Sequence, residues 1–274
     1  ELYEEFEKHR DNVAQLRKLI ARISKMKFFD PACGSGNFLI ITYKELRALE
    51  IEILQRIIEI QTPTLLEYTE IKLSQFYGIE LDDFAHEMAR LSLWLAEHQM
   101  NKIFEEQLAG YGESKPILPL KEAGHIVQGN SCRKEWKEIC PIGKDDEVYI
   151  IGNPPYLGAR LQDAEQKKDM GFVFNTIRGY NNMDYIACWF YKSKEYISGL
   201  NAKAAFVSTN SICQGEQVAL LWPHILNDLV EIDFAYHSFK WTNNAKGNAG
   251  VTVIIVGLRN ASNREKYLFD GNLK

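Results

Sequence analysis

The sequence lacks the cysteine and histidine spacings that hold metal ions or disulfide frameworks. Its five cysteines include no C-x-x-C pair, and its six histidines are scattered along 274 residues. Zinc sites and small disulfide scaffolds depend on closely spaced ligands or paired cysteines, so neither is expected. We therefore predict a protein of a reducing compartment, the cytoplasm, that binds no metal.

Long apolar runs and an excess of positive charge are also missing. No stretch of 18 apolar residues occurs and no signal peptide is evident, which argues against membrane and secretory proteins. The formal net charge is −5. Because phosphate contacts dominate nucleic-acid affinity, strong binding of DNA by this segment alone is not expected.

Strand-like and helix-like patterns alternate along the chain. This alternation is typical of an α/β fold with a doubly wound, mostly parallel sheet, here of seven strands, with an N-terminal helix. The predicted strands are 27–30, 75–80, 125–128, 148–151, 204–208, 229–235 and 251–258. The predicted helices are 2–26, 37–60, one beginning after Asp82 or Asp83 with Phe84, Met88, Leu91 and Leu95 on one face, 183–198 and 216–227.

A glycine-containing turn joins the first predicted strand to its helix. The segment 30–38 reads Asp-Pro-Ala-Cys-Gly-Ser-Gly-Asn-Phe. In open α/β sheets, ligands bind beyond the carboxyl ends of strands, and Gly34 and Gly36 would let a ligand approach the backbone. No Gly-Lys-Ser/Thr follows and the dinucleotide G-x-G-x-x-G is broken at Leu39, so a pyrophosphate site is not indicated.

Two acidic residues near this turn suit a ligand with a cation and a ribose. Asp30, just before the turn, suits a positively charged group such as the amino end of a methionine moiety. Glu80 ends the next predicted strand, where acids of dinucleotide-binding folds accept both ribose hydroxyls. A surface charge that starts a helix is the alternative explanation of Glu80.

The string Asn153-Pro154-Pro155-Tyr156 directly follows the apolar run 148–152. An Asn side-chain oxygen and a prolyl carbonyl can both accept hydrogen bonds from an exocyclic amine. The two prolines fix φ and carry no competing N–H, and the Tyr ring offers a flat face to a base. Alone, the string could also be a strand that ends in a Pro-Pro turn.

Together, the strings at 28–40 and 152–158 resemble DNA adenine-N6 methyltransferases that use S-adenosylmethionine. In particular they resemble the methyltransferase portion of fused type IIG and IIL restriction–modification enzymes, over about 28–258. The order of the two motifs resembles the gamma arrangement. The resemblance implies a helical segment 1–26, a Rossmann-like class I catalytic domain 27–274, and double-stranded DNA as partner through a recognition domain beyond 274. Members of the family carry a further cofactor motif near their N-terminal helix, and residues 1–26 contain no convincing version of it.

The resemblance also implies roles for individual residues. Asn153 and the Pro154 carbonyl would bind the target amino group, with Pro155 and Tyr156 completing the catalytic string. A flipped adenine would stack on Tyr156 and on an aromatic wall formed by Phe239 or its competitor Trp241. The polar segment 157–181 either borders DNA or is a solvated loop. The implied cofactor-binding residues are Asp30, Pro31, Ala32, Gly34, Gly36, Asn37, Glu80, Leu81 and Asn130.

Several alternatives stay open at this point. Asn130 is as consistent with a turn as with a bond to the cofactor adenine. Protein-glutamine methyltransferases also use Asn-Pro-Pro-Tyr, but they would not need the aromatic-bearing segment 237–250; RNA methyltransferases are comparable rivals, and a catalytically silent module is a third. Cytosine-C5 chemistry is not indicated, because no Pro-Cys pair occurs.

Overall fold

A computed structural model describes residues 1–61, 65–114, 124–241 and 251–270. Within these ranges the chain forms eight α-helices and eight strands. It divides into two units: Glu1–Gln128 with Gly143–Glu147, and Gly129–Ile142 with Val148–Lys274. Four strand pairings are parallel and two are antiparallel within the units, which confirms the predicted mostly parallel α/β class.

The first unit contains three parallel strands in the order β3-β2-β1. Its elements are α1 Leu2–Lys8, α2 Val13–Ile23, β1 Met26–Asp30, α3 Asn37–Ile60, β2 Phe76–Glu80, α4 Asp83–Gln107 and β3 His125–Gln128. Asp30 is in register with Gly78, so β1 and β2 end at the same edge. The rings of Phe28 and Phe76 stack at 5.3 Å between centroids, and Tyr43 of α3 packs edge-on against Phe76.

The predicted single N-terminal helix over 2–26 is wrong, because two helices occupy this stretch. Asn12 separates them: its side chain accepts a hydrogen bond from the Gln15 backbone N–H at 3.1 Å and caps α2. The apolar stripe continues across the break, which is why periodicity alone joined the two helices.

Helix α4 buries a different face from the one with the apolar stripe. The side chains that it buries are Ala89, Leu93, Ala96, Met100, Asn101 and Phe104. Phe84 is 76% exposed, and Leu91 and Leu95 are also exposed. Asp82, rather than Asp83, caps this helix by accepting a hydrogen bond from Ala85 N–H at 2.8 Å.

The second unit has the strand order β4-β5-β7-β6-β8. Its elements are α5 Trp136–Ile139, β4 Glu147–Gly152, α6 Ala164–Val173, α7 Ala187–Ile197, β5 Ala202–Thr209, α8 Glu216–Ile225, β6 Val230–Trp241, β7 Val251–Asn260 and β8 Tyr267–Phe269; Glu147 itself belongs to the first unit. Strand β4 pairs with β5 in parallel, and β7 is antiparallel to β5 and β6. Phe190 of α7 packs edge-on against Phe206 of β5 and Trp222 of α8.

The strand count differs from the predicted seven because β8 pairs in parallel with β6. Three residues are too short for a periodic signal, and contacts made far along the chain stabilise this strand. The Phe269 ring stacks on Tyr236 of β6 with centroids 4.6 Å apart. Strand β6 also runs to Trp241 rather than to 235, with irregular register between Tyr236 and Phe239.

Helix α6 replaces part of the predicted polar loop 157–181. A reciprocal capping box starts it: Asp163 Oδ1 accepts from Gln166 N–H at 2.8 Å, and Gln166 Oε1 accepts from Asp163 N–H at 3.0 Å. The cap outweighs the weak apolar pattern that favoured a loop.

All five cysteines are free thiols; Cys33, Cys132, Cys140 and Cys188 are buried and Cys213 is exposed. In the described ranges, no helix combines the length and the apolar content needed to cross a membrane. The aromatic-bearing segment 237–250 lies outside the described residues from 242 onward.

Candidate active site

The glycine turn of the first unit lies between β1 and the start of α3. Gly34 has φ +54° and Gly36 has φ +87°, both in the left-handed region that favours glycine. A Cβ on Gly36 would also lie 3.3 Å from the Ala89 Cβ of α4, a tight contact. Asn37 begins α3 and is exposed beside the turn, so the start of this helix is open to a ligand.

Asp30 ends β1 with its side chain buried, at 1% exposure. One carboxyl oxygen accepts a hydrogen bond from Ala32 N–H at 3.0 Å. Burial raises the pKa of Asp30 to about 7, although the Ala32 bond acts in the opposite direction. A carboxyl group in this state is poised to ionise when a cation binds beside it. Pro31, the next residue, is buried as well.

Glu80 connects two loops of the first unit at the end of β2. Its Oε2 accepts from Gly34 N–H at 2.8 Å, and its Oε1 accepts from Asp82 N–H at 2.8 Å. Because a carboxylate offers about four lone-pair sites, these two bonds leave acceptor capacity on both oxygens. The side chain is only partly buried, and Leu81 beside it is 66% exposed. Glu80 is thus more than a surface charge: it fixes the glycine turn.

These residues fit the cofactor that the sequence predicts. The turn offers a close backbone approach, Asp30 a carboxyl for a cationic group, Glu80 lone pairs for a ribose diol, and Leu81 an exposed apolar side chain. The Cys33 N–H donates to Ile79 O at 3.0 Å and ties the turn to β2. The individual cofactor contacts stay predictions.

The Asn-Pro-Pro-Tyr string of the second unit begins directly after β4 ends at Gly152. Pro154 is buried, Pro155 is exposed, and Asn153 and Tyr156 are partly exposed. The Asn153 Oδ1 atom is buried and has no hydrogen-bond partner within the described part of the protein. An unpaired buried carbonyl oxygen costs about 1–3 kcal/mol, which a donor at this position would recover.

Asn130 makes the hydrogen bonds of a turn. Its Oδ1 accepts from Cys132 N–H at 2.9 Å, and its Nδ2 donates to Asp169 Oδ2 at 2.8 Å. This geometry supports the turn explanation that the sequence left open. A contact between Asn130 and the cofactor adenine stays a prediction.

Asp169 is a buried acid that sequence reasoning did not identify. Besides Asn130, its carboxylate accepts from Arg133 Nε at 2.6 Å and from the Tyr185 hydroxyl at 2.8 Å. These partners lie 36 and 16 residues away along the chain, so no local spacing announces the cluster. Burial raises the pKa of Tyr185, which keeps its hydroxyl protonated as a donor.

The two candidate aromatic walls lie near the end of β6. Phe239 is partly buried and in register with Val253 of β7. Trp241 is the last residue of the strand, and its side chain lies outside what the structure describes. Stacking of either residue on a base stays a prediction. Along 157–181, the cations Arg160, Lys167, Lys168 and Arg178 are exposed.

Comparison with known proteins shows which sequences this chain resembles. The model of a family described as "MmeI, DNA-methyltransferase domain" matches residues 6–270. "DNA methyltransferase A" of Bacillus subtilis strain 168 is 52% identical over 260 residues, which are 94% of this chain and 29% of that protein. The chain therefore spans less than a third of that relative.

Two solved structures are similar in fold. The type IIL restriction–modification enzyme MmeI in complex with DNA has a TM-score of 0.89 and 39% identity, covering 98% of this chain and 36% of that one. A nuclease-deletion mutant of the type ISP enzyme LlaGI has a TM-score of 0.51 and 14% identity, covering 90% and 21%, a likeness in fold alone.

These matches confirm the predicted family and the predicted cofactor, S-adenosylmethionine, the methyl donor of such enzymes. The residues in the glycine turn and in the Asn-Pro-Pro-Tyr string both fall inside the matched range. The chain belongs to the DNA-methyltransferase domain family of MmeI.

Proposed function

We propose that this chain transfers a methyl group from S-adenosylmethionine to the N6 amino group of adenine in DNA, as the catalytic part of a restriction–modification enzyme. The observation that carries the proposal is the unpaired buried Oδ1 of Asn153, next to a proline that has no N–H to occupy it. The relatives that share this domain are about three times longer, so double-stranded DNA is proposed as the substrate of the whole polypeptide.

Most of the residues proposed to hold the cofactor lie in the first unit, whereas Asn130 belongs to the second. Asp30 would face its cationic amino group, the backbone of 31–36 its methionine part, and Glu80 its ribose. Asn37 and Leu81 flank this position, and Asn130 is assigned to its adenine. When bound, S-adenosylmethionine would supply a methyl group from a positively charged sulfur, and the neutral thioether would be the leaving group. The lone pair of the target nitrogen would form the new bond to carbon, and that nitrogen would then release one proton to solvent.

Asn153 and Pro154 would act on the amine itself. Each carbonyl oxygen accepts a hydrogen bond from one N–H of the adenine amino group. Holding both hydrogens to one side biases the nitrogen toward tetrahedral geometry, so its lone pair leaves conjugation with the ring. The catalysis is then positioning and electrostatic, without a covalent enzyme intermediate. Because Oδ1 of Asn153 is buried, the atoms that cover it must move when the base enters.

A base inside a duplex must be flipped out to reach these oxygens. Tyr156 is partly exposed beside Pro155 and would stack on one face of the adenine. Phe239 or Trp241 would contact the other face. Stacking gains about 1–3 kcal/mol per base, comparable with the cost of unstacking one.

The decisive experiment uses the longest natural polypeptide that contains this chain. In three separate reactions it is incubated with radiolabelled S-adenosylmethionine and one substrate: duplex DNA, RNA or a release-factor protein. The labelled DNA is then digested to nucleosides. We expect N6-methyl-2′-deoxyadenosine from the DNA and no label in the RNA or the protein. Label in cytosine, in RNA or in a protein glutamine would contradict the adenine assignment, and label in none would favour a silent module.

A further inference from the structure

The peptide that follows the Asn-Pro-Pro-Tyr string is held at both of its polar atoms. Leu157 N–H donates to Asp184 Oδ1 at 2.8 Å. Leu157 O accepts from Tyr185 N–H at 3.0 Å and from Gln162 Nε2 at 3.1 Å. Three hydrogen bonds thus fix a residue whose own side chain is only partly buried.

The groups that hold Leu157 are themselves buried and fixed. Asp184 is 6% exposed and Gln162 is 5% exposed. Gln162 Nε2 also donates to Met183 O at 3.0 Å, and Asp184 N–H donates to Gln217 Oε1 at 3.0 Å. Gln217 in turn donates to Asn182 O at 2.6 Å. Buried side chains whose polar groups are hydrogen-bonded in this way form a rigid network.

A purely local role does not account for Asp184. Its Oδ1 also accepts from Ile186 N–H at 3.2 Å, the local bond of a turn that precedes α7. That bond spans two residues. The bond to Leu157 spans 27 residues and reaches a different segment of the unit.

The string needs support on this side because proline fixes only part of the backbone. The rings of Pro154 and Pro155 lock φ, and Pro155 also restricts ψ of Pro154, but ψ of Pro155 is not fixed by either ring. On the amino side, the string is held by β4, whose Gly152 is in register with Phe206 of β5. On the carboxyl side only Tyr156 separates the prolines from Leu157. Fixing Leu157 therefore closes the string at its other end.

We propose that Asp184, together with Gln162, is a positioning residue that sets the orientation of Asn153–Tyr156 toward the methyl acceptor. This inference rests on the proposed function, since it assigns a purpose to the rigidity of the string. Misplacing a reacting group by about 1 Å can cost a factor of about 100 in rate, which makes such support effective.

The test compares Asp184→Ala, Asp184→Asn and the matched control Asp163→Ala in the longest natural polypeptide. The Asn oxygen can still accept from Leu157 N–H, whereas Ala cannot. Asp163 is an exposed acid that only caps α6. We expect Asp184→Ala to lower kcat by about 10- to 100-fold with the KM for cofactor unchanged within about twofold. Asp184→Asn should stay within about threefold of wild type, and Asp163→Ala should keep its kcat.

Amide hydrogen exchange at Leu157 gives a second measurement that does not depend on the reaction. Exchange at this amide should accelerate at least tenfold in Asp184→Ala and stay unchanged in Asp163→Ala. If wild type methylates no DNA, the proposed function fails while the exchange still decides whether Asp184 fixes the string. Unchanged exchange, or faster exchange with wild-type kcat, overturns the inference.

A second variant covers the case in which Asp184→Ala does not fold. Gln162→Met keeps the length and burial of the side chain but removes the donor to Leu157 O. We expect its kcat to fall at least fivefold at unchanged cofactor affinity. Wild-type kcat in a folded Gln162→Met protein would leave the geometry without catalytic consequence and reject the proposal.

Discussion

The glycine turn of the first unit and the Asn-Pro-Pro-Tyr string of the second differ in how their polar atoms are satisfied. In the turn, both Glu80 oxygens already accept backbone hydrogen bonds. In the string, Asn153 Oδ1 is buried without a partner in the described residues. The residues proposed to bind the cofactor thus also stabilise the fold, whereas the atom proposed to act on substrate keeps its hydrogen-bonding capacity unused.

The strongest challenge to this comparison is Asn153→Ala. Removal of the unpaired oxygen should lower methylation about 100- to 1000-fold while cofactor affinity stays within about twofold, because the lost hydrogen bond is the one to the amine that accepts the methyl group. Stability should not fall, since no hydrogen bond of that oxygen is lost. Turnover and calorimetric titration of the cofactor measure the two effects.

Asn263→Ala, an exposed asparagine beyond β7, is the matched control and should behave as wild type. Retained methylation in Asn153→Ala would show that the unpaired oxygen has no catalytic part.

Glu80→Ala tests the other region of the comparison, the glycine turn. It removes acceptors for the ribose and also the bonds to Gly34 and Asp82. Cofactor affinity should fall about 10- to 100-fold, and the midpoint of thermal unfolding should fall with it. The exposed Glu45→Ala on α3 is the control for charge alone. A drop in stability with unchanged affinity would leave Glu80 as a brace only.

The pH dependence of cofactor binding isolates Asp30. Because burial raises its pKa to about 7, the carboxyl group is mostly neutral at pH 6 and mostly ionised at pH 7.5. A cationic amino group needs the ionised form, so affinity should rise roughly eightfold over this range. Asp30→Asn should bind weakly and without this rise. An equal rise in the variant would assign the titration to another group.

The same shift acts on the folding of the unbound chain. The folded state favours protonated Asp30, so its stabilising contribution is complete below about pH 4 and is lost as pH rises toward 7. Asp30→Asn should flatten this part of the dependence of unfolding free energy on pH.

The smallest effect is expected for Asn130→Ala. The variant loses two hydrogen bonds, to Cys132 and Asp169, and should be destabilised by about 1–3 kcal/mol in denaturant unfolding. If Asn130 is mainly a turn residue, cofactor affinity will fall less than threefold. A larger loss of cofactor affinity in a fully folded variant would support the predicted contact with the cofactor adenine.

Sequence patterns predicted the fold best where periodicity and punctuation agreed. Helix α3 and strand β3 have the predicted bounds, 37–60 and 125–128. The glycine turn before α3 marks its start, and the short apolar run of β3 is bounded by glycines. The predictions failed where contacts distant in sequence decide the outcome, as for the aromatic stack that holds β8 against β6.

The site shows the same limit. The two strings that carry the proposed chemistry are contiguous, so the sequence displays them directly. Asp169 and Asp184 are not part of any string, and the bonds that link them to Asn130, Arg133, Tyr185 and Leu157 span 16 to 39 residues. On α4, periodicity predicted an amphipathic helix correctly but could not tell that the small and mixed residues face inward while Phe84 is exposed. Pattern indicates an apolar face; packing decides which face is used.

The position of the exposed thiol has a practical consequence. Cys213 closes the short turn after β5, and β5 is the parallel neighbour of β4, from whose end the Asn-Pro-Pro-Tyr string starts. Partial desolvation raises the pKa of this thiol, so its alkylation is slower than that of a free cysteine, but the other four thiols are buried. A single maleimide dye can therefore be attached at one residue without removing any cysteine. A dye on the native chain would thus lie at the edge of the sheet where β4 and β5 end, and where the substrate amine is proposed to bind.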